Sequence, residues 1–143
     1  VLDKLYCLSD AAIYYFSYPM KVYYIAAPHE EPADYAEKVK HPMDMATVVI
    51  KLLNGDYKNE GGMVADLRLM VENCRRYYTG HSAYDQATIK GALANAKAVN
   101  DALDAGLAEY LPEWLGNHEA PAPAAAPSSA PPTQSKPNHN RKA

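Results

Sequence analysis

The chain has 143 residues, 48% of them apolar, and a formal net charge of −3. That suffices for one domain with its own core and is too little for two. The charge divides into +2 from Gly116 onward and −5 before it; an acidic folded part repels nucleic-acid backbones, which excludes direct DNA binding as its role.

The same charge attracts a basic partner such as a Lys/Arg-rich peptide. No apolar run approaches the roughly 20 residues of a membrane span, and no secretory signal is visible. Cys7 and Cys74 are too few for a disulfide framework. Both lie in apolar helical patterns as small hydrophobes, which suits a reducing compartment, cytosol or nucleus.

In chain order, Leu2, Leu5, Leu8, Ala12, Ile13 and Phe16 recur at three- and four-residue steps and predict one amphipathic helix, stopped by Pro19. Residues 17–43 show no sustained period and carry four prolines, Pro19, Pro28, Pro32 and Pro42. Long loops in compact domains are usually functional. Within this one, PADYAEKV can form a helical turn or two. Asp44 caps a short helix, MATVVIKLLN, which ends at Asn54-Gly55. A third helix runs from about Gly62 to Tyr77, with Met63, Leu67, Met70, Val71, Cys74 and Tyr77 on one stripe. Thr79-Gly80 breaks it, and Ser82 with Asp85 resembles a capping box for a fourth. That helix turns Ile89, Leu93, Ala96, Val99, Leu103 and Leu107 inward and is bounded by Pro112. No β alternation and no repeat occurs, so an all-α bundle with one long crossover connection is predicted. From Gly116 the chain is Pro- and Ala-rich without aromatics. It cannot bury enough apolar surface to order itself, so the expected division is a domain over 1–115 and a disordered tail or linker over 116–143.

Catalytic signatures are missing: there is no HExxH, GxSxG, CxxC or Gly-rich phosphate loop. His29, His41 and His81 are loop histidines without ligand spacing, expected at the surface, so neither a metal nor another cofactor is expected. Glu30, Glu31, Asp34 and Glu37 read as a solvated rim, with Asp34 and Lys38 paired at i, i+4. The unusual feature is tyrosine, twelve of the fourteen aromatic residues. Tyrosines such as Tyr18, Tyr35, Tyr78 and Tyr84, in or beside loops that converge at one end of a bundle, suit an apolar pocket with a few polar anchors.

Three strings then carry a resemblance. Tyr35, then Lys40-His41-Pro42-Met43-Asp44-Met45-Ala46-Thr47-Val48; Gly55-Asp56-Tyr57; and Asp66-Leu67-Arg68-Leu69-Met70-Val71-Glu72-Asn73-Cys74-Arg75-Arg76-Tyr77 resemble a bromodomain, over about Leu2 to Leu111. The resemblance implies a left-handed four-helix bundle. Its long ZA loop (about 17–43) and short BC loop (about 78–83) would form an acetyl-lysine pocket. The family's Trp-Pro-Phe shelf is matched by Tyr18-Pro19-Met20, its ZA-loop valine by Val22 or Ile25, and its water-bridging tyrosine by Tyr35. Tyr77 precedes the anchor position, and the gatekeeper position is Tyr84. The departure is the anchor itself: where the family has an Asn, this chain has Tyr78. Asn73 matches a different family position and points elsewhere by helical phase.

The resemblance implies a non-enzymatic, nuclear, monomeric reader module. Its partners would be acetylated histone or other acetylated peptides, and other subunits of a chromatin complex. The alternative is a degenerate bromodomain that serves as a protein-interaction scaffold, its pocket filled by Tyr78.

Overall fold

A computed structural model describes residues 1–8, 10–17 and 34–116. The long loop's shelf and the Pro-rich tail therefore lie outside the described residues. Those described are all-helical: α1 (Leu2–Tyr6), α2 (Asp10–Ser17), α3 (Tyr35–Lys38), α4 (Met45–Asn54), α5 (Glu60–Tyr78) and α6 (Gln86–Tyr110), with a closing 3₁₀ turn at Pro112–Trp114. α5 and α6 form the central pair; α1 and α2 pack on α6, and α4 packs on α5 and α2. The result is a helical bundle.

The first helix differs from its expectation. The predicted continuous helix from Leu2 to Phe16 is two segments, with Cys7 capping α1 and Leu8 closing a tight turn onto Leu5. Both segments still bury the predicted face, through Leu5, Ala12 and Phe16.

Caps place the other helices. Asp44 Oδ1 accepts the Thr47 N–H at 2.9 Å, and Gly55, at φ 73°, ends α4 in the left-handed region glycine tolerates best. α5 starts two residues before the expected Gly62, because Asn59 accepts the Gly62 N–H. α6 is capped by Asp85, which accepts from the Thr88 N–H at 2.7 Å, and not by Ser82. A carboxylate also complements the positive end of the helix, which a serine hydroxyl does not.

The core runs through Leu5, Phe16, Met45, Val48, Leu67, Met70, Val99, Leu103 and Leu107. Of the predicted inward face of α6, Ile89, Ala96, Val99, Leu103 and Leu107 are buried, while Leu93 is only partly so, its place taken by Ala92. Two polar pins cross the bundle. Lys51 Nζ and the Tyr57 hydroxyl both donate to Asp66 Oδ2, at 2.5 and 2.7 Å, and so tie α4 and its loop to α5. Arg68 donates to Asn100 and Asp104 and so ties α5 to α6.

Two glycines test this packing with opposite signs. A Cβ on Gly91 meets open space on the exposed side of α6, whereas one on Gly61 runs into the Trp114 ring. Gly91→Ala is expected to stabilise the domain by about 0.5–1 kcal/mol in urea denaturation. Gly61→Ala is expected to forfeit that gain and shift the emission of Trp114, the chain's single tryptophan.

Candidate functional site

At the end of the bundle where α5 finishes, a second, aromatic cluster forms. It comprises Tyr35, Val39, Tyr77, Tyr78 and Ala92, with Cys74, Tyr84 and Leu93 packed against it. Its centre is Tyr77, 1% exposed. The rings of Tyr35, Tyr78 and His81 meet it edge-on at centroid distances of 5.0, 5.1 and 4.9 Å, and Tyr84 lies at 6.0 Å. Edge-to-face packing at these distances is favourable beyond the area buried.

Beneath these rings lies a cavity lined by Phe16, Tyr35, Met43, Met70, Asn73, Cys74, Tyr77 and Tyr78. About 30 Å³ of it is open to a water-sized sphere, room for one or two waters. The lining is mostly apolar. The Cys74 thiol contacts the Ala92 carbonyl at 3.7 Å. Burial pushes its pKa up to about 11, slightly opposed by the Arg75 charge. The Asn73 amide donates to the His41 carbonyl at 2.8 Å. That spends Asn73 on holding the end of the long loop, in keeping with its reading as something other than the anchor.

The polar order of the site is set by Asp34, the residue before α3. Lys38 Nζ, at 3.0 Å, and His81 Nε2, at 2.6 Å, share its Oδ2. The Tyr77 hydroxyl donates to its Oδ1 at 3.2 Å. Lys38 first, then His81, hold the Asp34 carboxyl below the usual carboxylate range. A carboxylate only accepts, so the single Tyr77 proton points at Asp34; the Tyr84 hydroxyl, 3.1 Å away, must then donate to the Tyr77 oxygen. Burial, with Tyr84 and Asp34 adding to it, raises the Tyr77 phenol pKa and keeps it neutral. His81 Nδ1 accepts the Ala83 N–H at 3.2 Å, which places the ring proton on Nε2, facing Asp34.

The structure thus brings Tyr35, Tyr77 and Tyr78 together on one cavity wall and seats Tyr84 against Tyr77 and Tyr78. Tyr18, Pro19, Met20, Val22 and Ile25 lie outside the described residues, as do Glu30 and Glu31. One expectation is corrected: His81 is not a surface histidine but is 7% exposed, because α3 and the BC loop close over Tyr77 from two sides. Asp34 does pair with Lys38 as the spacing suggested, and it also receives His81 and Tyr77. Sequence reading missed the Asp34–His81 bridge because two residues 47 apart carry no spacing signal. It also missed Phe16 and Met43 as cavity walls; Met70 and Cys74 were legible only as an inward helix stripe.

The described residues thus form a helical bundle with a small, mostly apolar cavity at the end where α5 finishes. Residues 1–89 match the sequence profile of the bromodomain family, and the chain belongs to that family. Bromodomains are binding modules for acetylated lysine and for protein partners.

The two cysteines give a direct check on the cavity wall. Exposed Cys7 is expected to react rapidly with a thiol reagent at pH 8, and Cys74, half-buried with its pKa near 11, at least tenfold more slowly. Two equal fast phases would mean that the wall is open.

Proposed function

We propose that this domain reads acetylated lysine on histone tails or other acetylated proteins and so helps tether a chromatin complex in the nucleus. The observation that carries this reading is the apolar cavity under Tyr35, Tyr77 and Tyr78, at the end of the bundle where α5 finishes. Acetylation removes the lysine charge, so the neutral amide and its methyl group can enter such a space at low desolvation cost. In this proposal Tyr35 bridges to the acetyl carbonyl through water, as the sequence resemblance implies, and Tyr84 gates the entrance. The shelf Tyr18-Pro19-Met20 and Val22 or Ile25 complete the wall. The residues from Gly116 serve as a linker, and the module acts as a monomer.

A second reading is supported by a specific observation. Tyr78, at the position of the family's anchoring Asn, is 9% exposed, and its ring packs on Tyr77 at 5.1 Å and Tyr84 at 5.3 Å. A ring held there occupies space where an acetamide would sit. The domain would then serve as an interaction scaffold.

Titration with singly and multiply acetylated histone peptides separates the two. The reader proposal expects acetylation-dependent binding that weakens on Tyr35→Phe. Tyr78→Asn restores the amide donor and clears the ring; it is expected to tighten binding about tenfold or more, the worth of one well-placed buried hydrogen bond. An intact fold with no acetyl-dependent signal at millimolar peptide, in the parent chain and in Tyr78→Asn alike, would favour the scaffold.

A further inference from the structure

His81 differs from the other polar groups at this end of the bundle because both of its nitrogens are engaged and neither bond is equivalent to the other. Nδ1 accepts the N–H of Ala83, two residues ahead, and so closes the BC loop on itself. Nε2–H reaches Asp34, 47 residues back, and so fastens that loop to the end of the long one. The ring between them packs against Tyr77 at 4.9 Å and Tyr84 at 4.8 Å. Tyr84 follows Ala83 directly, so the position of this gate is set by the short turn that His81 closes.

We propose that His81 is a positioning residue for the acyl-lysine site: neutral, it closes the BC loop and seats Tyr84, and on protonation it releases the turn while staying bound to Asp34. This rests on reading the cavity as the acyl-lysine site, and it adds a regulation to that reading.

The argument is one of donors and acceptors. A neutral imidazole offers one of each, which is what Asp34 and the Ala83 N–H require. An imidazolium offers two donors. The Asp34 contact survives and gains charge, whereas the Ala83 N–H then faces an N–H. Ala83 is solvent-exposed, so its N–H then turns to water, and the side-chain tie that closes the turn is lost. Histidine side chains change charge between about pH 5 and 8.

The other ionisable groups around His81, among the described residues, do not duplicate this response. Just before α3, Asp34 is held ionised across that range by Lys38, which shares its Oδ2, and by His81 itself. From α5, the Tyr77 phenol is pushed up by burial and stays neutral. The Tyr84 hydroxyl is tied to Tyr77. Asp85, next along the chain, is turned onto the Thr88 N–H and is held low by it.

The test uses the full chain, ¹⁵N-labelled and free of ligand, titrated from pH 8 to pH 5 by NMR. At high pH the His81 ring nitrogens should report the Nε2–H tautomer. The Ala83 amide shift and its protection from hydrogen exchange should follow the His81 titration and be lost with it. An Ala83 amide that stays protected while His81 protonates would overturn the proposal, whether or not any peptide binds.

A second arm measures affinity for a multiply acetylated histone-tail peptide over the same range. The parent chain is expected to weaken severalfold to tenfold on acidification, about the worth of one hydrogen bond. His81→Asn keeps an acceptor for the Ala83 N–H, and His81→Gln keeps a donor for Asp34; neither titrates, so both should flatten the profile. The same slope persisting in both variants would assign the effect to another group and sink the idea. Failure of the peptide to bind at any pH would count against the reader proposal alone, since the Ala83 titration decides the role of His81 separately.

Discussion

The loop end of this molecule depends on one acceptor. Asp34 takes Lys38, His81 and Tyr77 on its two oxygens, and these donors come from α3, the BC loop and α5. Hydrogen bonds to an ionised acceptor are shorter and stronger than neutral ones. Here they also fix direction. With the Tyr77 proton committed to Asp34, Tyr84 must donate to Tyr77, and with the Ala83 N–H committed to His81 Nδ1, the imidazole proton must face Asp34. The Tyr77, Tyr84 and His81 protons are thus ordered around this carboxylate. Removing the charge would leave donors facing one another and no rule to order them.

That ordering bears on the residue at the anchor position. An Asn offers a short, forked amide that can donate to an acyl carbonyl without filling the space. A Tyr offers one hydroxyl on a rigid arm and brings a ring with it. The ring finds favourable edge contacts with Tyr77 and tilted packing with Tyr84, so the substitution extends an aromatic cluster at the expense of a polar anchor. In the proposed reader role, a ligand would then be selected less by its acceptor than by apolar fit. The wall suits this, since Met43 and Met70 supply unbranched thioethers that adapt their shape.

How much of this was legible in the sequence follows the range of the interaction. Local chemistry was readable: Asp44 as a cap and Gly55 as a stop are decided within a few residues, and the three- and four-residue periods gave the inward faces of α5 and α6. Local ambiguity produced the errors. Ser82 and Asp85 both fit a cap, and only the position of Thr88 beside the Asp85 carboxylate decides between them. Ser9-Asp10 inside an otherwise periodic stretch was read through as helix, although such residues favour a new start. Non-local polar pairing was invisible. Nothing about Asp34 or His81 alone announces that α3 and the BC loop close over the same ring.

The same burial that shapes the cavity makes charge costly inside it. Two groups in its wall, the Cys74 thiol and the Tyr77 phenol, have their ionisation suppressed chiefly by desolvation. That is the response of a medium in which charge is costly, whatever its sign. An unmodified lysine ammonium pushed into the same space would meet the same penalty without a partner to offset it. Among the described residues, the Lys38 ammonium stays outside: it is 39% exposed, paired with Asp34, and 5.6 Å from the centre of the Tyr77 ring. The rim thus accommodates positive charge and the interior refuses it. For a neutralised lysine within a basic tail, the proposed reader role draws on that contrast between rim and interior.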